Sequence, residues 1–349
     1  MAELRWERYP RVADHATARK WIGIEANLGL APNTIHAYAR ALEDYLAFSA
    51  TAPVEISDAN REHIAAYVHH LASRRNSRPP NVVVIDSGVG LANATLQQRL
   101  TAIRLFYDYL IEEGHRVSNP VGRGRYTATR CFGGARERGL IPRFKKLPWI
   151  PNDDQWRAVI EATKREPLRN RVMLALSYDA ALRREELCSL QTGDIDPSRR
   201  TISIRAENTK NRRARVVPYS EATSKLYGAY LRKRRALSTD RGLLFLSESR
   251  RNWARPITIW TWSKVVEGIS MRAGVPEFTT HTSRHLCLTD LARASWDIHE
   301  IATFAGHRSI ESTLLYIHLS GRDLAAKLAR GMAAIHDWRV RTIAEILHE

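Results

Sequence analysis

Six side chains stand in the order Arg183, Lys210, His281, Arg284, His307 and Tyr316, within the stretches ALRREEL, NTKNR, HTSRH and AGHRSIESTLLYIH. Attack of a tyrosine oxygen on a phosphodiester needs all of these residue types. The diester is an anion, and its transition state gathers more charge on the non-bridging oxygens. Two arginines can grip those oxygens with fixed, bidentate donors. Loss of one such preorganised donor typically costs ~10² to 10³ in rate. A tyrosine hydroxyl, with a pKa of about 10, is a poor nucleophile until an acceptor takes its proton. Histidine suits that role near neutral pH. The departing 5′ oxygen needs a proton, which a lysine with a pKa lowered by nearby arginines can give. Such a set is complete without a metal ion or a nucleotide cofactor.

These residues resemble the tyrosine recombinase (phage integrase) family. ALRREEL is similar to the family's first box, usually Gly-Leu-Arg-x-x-Glu-Leu, with Arg183 as first arginine and Glu186 as supporting acid. HTSRH is similar to the His-x-x-Arg of the second box. AGHRSIESTLLYIH is similar to the Leu-Gly-His segment that precedes the tyrosine, with the usual nine-residue step from His307 to Tyr316. NTIHAYARALEDYLAF and ATLQQRLTAIRLFYDYLIEEG look like the family's core-binding helices. The likeness covers roughly residues 10 to 325. It departs from the pattern at Ala181, usually Gly, at Ala305, often Leu, and at Ser283, frequently Leu, and Arg184 is an unusual charge beside Arg183.

The resemblance implies a mainly α fold with a small antiparallel β-sheet, in two domains. A helical, SAM-like core-binding domain is expected over 1–117, a basic linker over 118–150 and a catalytic domain with a C-terminal helix over 151–349. In the implied mechanism Arg183 and Arg284 hold the phosphate, His281 assists proton transfer from Tyr316, His307 hydrogen-bonds the phosphate and Lys210 protonates the leaving oxygen. The implied partner is double-stranded DNA at a specific recombination site. A homotetramer would assemble there from monomers or dimers, with accessory DNA-binding proteins, and would pass through a 3′-phosphotyrosyl intermediate and a Holliday junction. The long connection at 74–93 and the basic linker lean toward a mobile element's enzyme, for integration, excision or transposition. Chromosome or plasmid dimer resolution and a type IB-like topoisomerase share the chemistry. A helix-turn-helix regulator without catalysis would explain IATFAGHRSIESTLLYI but not Arg183, Lys210 or the distant His281-x-x-Arg284.

Composition is consistent with that partner. The 349 residues suffice for two domains, and 54 basic against 37 acidic residues, a net charge of +17, favour a polyanion. Charge alone fits an RNA-binding protein equally well. Cys131, Cys188 and Cys287 are far apart and form no CxxC pair, so neither a disulfide framework nor a zinc site is expected and a reducing cytoplasm, on the nucleoid, is the simplest home. MAELRWERYPRVADH lacks the apolar core of a signal peptide, and no apolar run approaches a membrane span.

The elements that must position the six residues follow from spacing. Helices are expected over 32–49, 60–74 and 93–113, with Gly114 as a C-cap. In the second domain helices are expected over 153–164, 168–180, 184–190, 221–237, 257–273, 283–294, 298–305 and 309–319. TISIRAE and RARVVPYS alternate as the strands of a hairpin whose turn, NTKNR, carries Lys210. The tail 334–349 has an apolar stripe that includes Trp338 and Ile343.

Other residues carry both a functional and a plainer reading. Arg99 and Arg104 lie off the apolar face of their helix and could face DNA. Lys145 and Lys146 lie in the linker, where 118–150 holds eight Lys or Arg and one Glu. Arg212, Arg213 and Arg215 are expected to touch phosphates beside Lys210, with solvated surface charge as the alternative. Glu186 is expected to orient Arg183. His285, four residues after His281, is expected to pack beside the site, since no third ligand supports a metal; His318 is a neighbour of Tyr316 in sequence or simple surface.

Overall fold

A computed structural model describes residues 4–51, 54–74, 90–122, 140–142, 147–209, 212–319 and 331. The chain divides into two units, Met1–Lys146 and Leu147–Glu349. Residues 75–89, most of the basic linker with Lys145 and Lys146, Lys210 itself, Cys131 and the tail from 334 lie outside the described residues.

The first unit is built from α1 (Pro10–Asp14), α2 (Ala16–Asn27), α3 (Pro32–Ser49), α4 (Arg61–Ser73) and α5 (Asn93–Glu112). The last three match their apolar spacing. Ile35, Leu42 and Tyr45 of α3, Ile64, Tyr67 and Leu71 of α4, and Ile103, Phe106 and Tyr107 of α5 share one core. Full burial of a side chain this size contributes about 1.5–3 kcal/mol. The Tyr45 and Tyr107 hydroxyls lie 2.7 Å apart and satisfy each other inside it. Helices α1 and α2 were not expected from spacing; α2 is capped by His15, whose Nδ1 accepts from the Ala18 N–H at 3.3 Å, an unusual cap residue. α5 ends in a turn at Gly114, whose φ of 75° favours glycine.

The second unit holds eight helices among the described residues: α6 (Asp153–Thr163), α7 (Leu168–Asp179), α8 (Arg184–Cys188), α9 (Glu221–Leu237), α10 (Ile259–Ala273), α11 (Thr282–Arg293), α12 (Ile298–Ala305) and α13 (Glu311–Leu319). Side chains set their starts. Asn152 and Gln155 form a capping box on α6, Asp297 and Glu300 one on α12, and Ser220 and Thr258 cap α9 and α10. A three-stranded antiparallel sheet, β1 (Ile195–Asp196), β2 (Thr201–Ile204) and β3 (Arg215–Pro218), runs in the order β1-β2-β3. Ile202 pairs with Val217 and Ile204 with Arg215. Ile202, Ile204 and Val217 turn into the core with Leu182, Leu187, Tyr230, Trp262, Leu288 and Ile301, while Val216 points out. Strand alternation thus places Arg215 on the inward face with Val217.

Cys188 and Cys287 are free and buried. Burial pushes each thiol up to about 12. No described helix is long and apolar enough to cross a membrane.

Candidate active site

The site forms where four backbone segments of the second unit meet: the α7–α8 turn, β3, the start of α11 and the α12–α13 turn. α7 stops at Ala180, and Ala181 adopts φ 46°. That left-handed residue turns the chain so that Arg183 becomes the cap of α8. A glycine would hold this conformation without steric cost, which gives a physical reason for the family's usual Gly here. Glu186, in the first turn of α8, reaches back to the Arg183 N–H at 2.9 Å.

Glu186 is the hub. It is 1% exposed and takes Arg183 Nη1 at 2.8 Å and both Arg215 terminal nitrogens at 3.0 and 2.7 Å. Burial alone would raise its pKa. The Arg215 hydrogen bonds and charge, then the Arg183 N–H and charge, overcome that and hold it at about 2. Arg215 also donates to the Phe304 carbonyl at 3.1 Å. It was expected on phosphate beside Lys210; instead its side chain, 8% exposed, packs against Glu186, because strand parity turns it inward. Gly306, with φ 62°, ends α12 beneath it: a Cβ there would come within 2.9 Å of Arg215 Nη1. The Gly306 carbonyl receives Arg183 Nη2 at 3.1 Å.

Among the described residues, Arg284 has no carboxylate as a hydrogen-bond partner. Its guanidinium donates to the carbonyls of Ala181 and Ala305 and to His307 Nε2 at 3.0 Å. Burial and the adjacent Arg183 lower its pKa to about 10, so it stays charged at neutral pH. Ser283, where the family frequently has Leu, hydrogen-bonds Ser177 at 3.0 Å and ties α11 to α7. Arg184 pairs with Glu185 and reaches the Ser263 hydroxyl at 3.2 Å.

Arginine has no acceptor, so His307 Nε2 must accept from Arg284. The ring proton then sits on Nδ1 and donates to Thr313 Oγ1 at 2.8 Å. Burial and then the charges of Arg284, Arg183 and Arg215 push this histidine down to about 3. Both nitrogens are therefore occupied, whereas His307 was expected to hydrogen-bond phosphate directly. Its ring stacks on Tyr316, with centroids 5.9 Å apart and planes within 8°.

Tyr316 is 3% exposed. Its hydroxyl meets Nδ1 of His285 at 3.0 Å. Burial raises its pKa, and the charges of Arg284 and Arg183 pull it back part of the way. His281, expected to handle the tyrosine proton, caps the start of α11 at the solvent edge, and its ring centroid lies 6.5 Å from that of His285. Loss of surrounding water lowers its pKa; Glu185 opposes this, and Arg184, Arg284 and Arg183 add to it.

Of the expected residues, Arg183, Glu186, Arg284, His307 and Tyr316 come together, with His281 at the rim. Arg212 and Arg213 are exposed on the β2–β3 connection that carries Lys210. In the first unit, Arg99 is paired with Asp44, which also takes Arg74 at 2.6 Å and the Tyr67 hydroxyl at 2.9 Å. It braces α3 against α5 rather than facing outward. Arg104 is half-buried on α5, near Tyr38. The sequence placed Arg215 on phosphate rather than against Glu186, and His285 beside the site without a contact to Tyr316; Thr313 was not singled out. Parity with Val217 was a usable signal for the first, and the step of four from His281 for the second; Thr313 had none.

Residues 152–322 match the model of the phage integrase family, and residues 21–114 that of the phage integrase N-terminal SAM-like domain. Transposase A from transposon Tn554 of Staphylococcus aureus is 27% identical over 322 residues, 87% of this chain and 88% of its own. Tyrosine recombinase XerD of Caulobacter vibrioides is 27% identical over 305 residues, 84% of this chain and 88% of its own. Among solved structures, a lambda integrase tetramer bound to a Holliday junction matches with a TM-score of 0.61 at 17% identity, over 86% of this chain and 76% of that one. At that identity the likeness concerns the fold.

Proposed function

The chain belongs to the phage integrase family of tyrosine recombinases, and from that membership we propose that it recombines double-stranded DNA at a specific site, in the service of a mobile element. One observation supports the reading above the others. A buried tyrosine hydroxyl lies beside two arginines of the same chain, and one of these, Arg284, is hydrogen-bonded to no carboxylate among the described residues.

Arg183 and Arg284 take the two non-bridging oxygens of the scissile phosphate. Tyr316 Oη attacks phosphorus, the bond to the 5′ oxygen breaks, and Lys210 gives that oxygen a proton. The products are a 3′-phosphotyrosyl linkage and a free 5′ hydroxyl. A 5′ hydroxyl from a second duplex reverses the step and exchanges strands. Glu186 and Arg215 fix Arg183. His307, tied to Arg284 and Thr313, positions Arg284. His281 stands at the rim, where bound DNA would pass. The two arginines and the lysine supply the charge that a divalent ion supplies elsewhere. The relative from Tn554, nearly coextensive with this chain, supports transposition; exchange on paired sites by a tetramer follows the lambda integrase likeness.

A nicked-site substrate, which traps the covalent complex, tests the reading. Tyr316→Phe should bind the DNA as before and form no adduct, and the unaltered protein should form it in excess EDTA. An adduct from the phenylalanine variant would remove Tyr316 from the mechanism.

A further inference from the structure

We propose that His285 takes the Tyr316 proton during attack, so that the chain carries a catalytic base outside the six residues its motifs single out. The inference rests on Tyr316 as nucleophile. Among the described residues, the hydrogen bond at Tyr316 Oη runs to His285 Nδ1, at 3.0 Å. Among the described residues, no other acceptor is hydrogen-bonded to the hydroxyl. Arg284 faces it but is a donor only. His307 lies parallel to the tyrosine ring, with Nε2 accepting from Arg284 and Nδ1 donating to Thr313. His281 sits one turn earlier on α11, with its ring 6.5 Å from that of His285.

The His285 ring is neutral, the protonation state that the role requires. The charged groups near it are Arg284 and, when protonated, His281 on its own helix, with His307 and Tyr316 facing it from the α12–α13 turn and α13. Burial, then the charges of His281 and Arg284, lower its pKa to about 4, so the ring is neutral at pH 7. A neutral imidazole with its proton on Nε2 offers Nδ1 as acceptor. A bound phosphodiester brings a negative charge to the arginines and makes the ring more basic as chemistry begins. The step balances: Oη–P forms, P–O5′ breaks, the tyrosine proton moves to His285 Nδ1, and the 5′ oxygen receives its proton from the acid. On strand exchange the incoming 5′ hydroxyl displaces Tyr316 Oη, which recovers the proton from His285.

The test is single-turnover cleavage of the nicked substrate across pH by the full chain, with DNA binding measured in parallel. His285→Ala should bind DNA normally, cleave roughly 10² to 10⁴ more slowly, and gain rate steadily with pH as hydroxide replaces the base. Replacement of Tyr316 by 3,5-difluorotyrosine, whose more acidic phenol needs less help, should shrink the His285→Ala defect. A residue that only packs against the tyrosine would leave that defect unchanged, and this result would overturn the proposal. So would normal cleavage by His285→Ala, or rescue by the fluorinated tyrosine of His281→Ala alone. Tyr316→Phe, run alongside, keeps the two ideas apart. If it is inactive while His285→Ala is normal, only the base assignment fails; if it cleaves, both fail.

Discussion

At the scale of single residues, the site is a set of charges whose partners decide their roles. Among the described residues, Arg183, Arg215 and Arg284 gather around one buried carboxylate, Glu186, so the balance is positive before any DNA arrives. That excess lowers the basicity of the histidines beside it: burial and the arginines bring His307 to about 3, and burial, His281 and Arg284 bring His285 to about 4. An unfolded histidine titrates near 6.5. Each folded-state pKa is therefore depressed, and the unfolded chain binds more protons below pH 6.5. The stability these groups contribute is present above about 6.5 and is lost as pH falls toward their folded values. Glu186 is depressed too, but against an unfolded value near 4.5, so its contribution disappears only in stronger acid. The DNA-free protein should thus lose resistance to urea between pH 6.5 and 5, a window in which Glu186 is ionised in both states. In His307→Gln that loss should be smaller. An identical pH dependence in parent and variant would mean that burial and the arginines do not depress His307.

At the scale of elements, short turns do the positioning, and they are where sequence reading was least complete. Helices α3 to α13 follow apolar spacing, helped by side-chain caps on α4, α6, α9, α10 and α12, and each was legible to within about two residues. The hairpin was legible from alternation, but β1, two residues long, was not. Arg183, Arg284 and Tyr316 could be named from motif spacing because their chemistry is tied to residue type. The roles of Arg215 and His285 depend on which face of a strand or helix meets the site, and only packing settles that. Ala181 joins these scales. Its φ of 46° is unfavourable for an L-residue by roughly 1–2 kcal/mol, yet its carbonyl anchors Arg284. Ala181→Gly should relieve the strain, offset in part by the greater freedom of unfolded glycine, roughly 0.4–1 kcal/mol. The expected outcome is a modestly higher denaturation midpoint with cleavage retained, while Ala181→Val, β-branched at positive φ, should lower both. A lower midpoint for the glycine variant would show that the left-handed turn carries no strain.

At the scale of the whole molecule, a net charge of +17 suits a polyanionic partner, and family models match in both units of the chain. The chemistry asks only that this charge bring a phosphodiester to the second unit, where the tyrosine and both arginines belong to one chain. Bond energy kept in the phosphotyrosyl linkage lets the reaction run backward onto another strand, which separates recombination from hydrolysis. The identity of that bond therefore decides the mechanism. The trapped complex can be digested with nuclease and protease, and the DNA-linked peptide sequenced by mass spectrometry. One modified residue is expected, Tyr316, joined through its oxygen to a 3′ phosphate, with a free 5′ hydroxyl on the released strand. A linkage to any other residue, or a tyrosine joined to the 5′ phosphate, would contradict this mechanism.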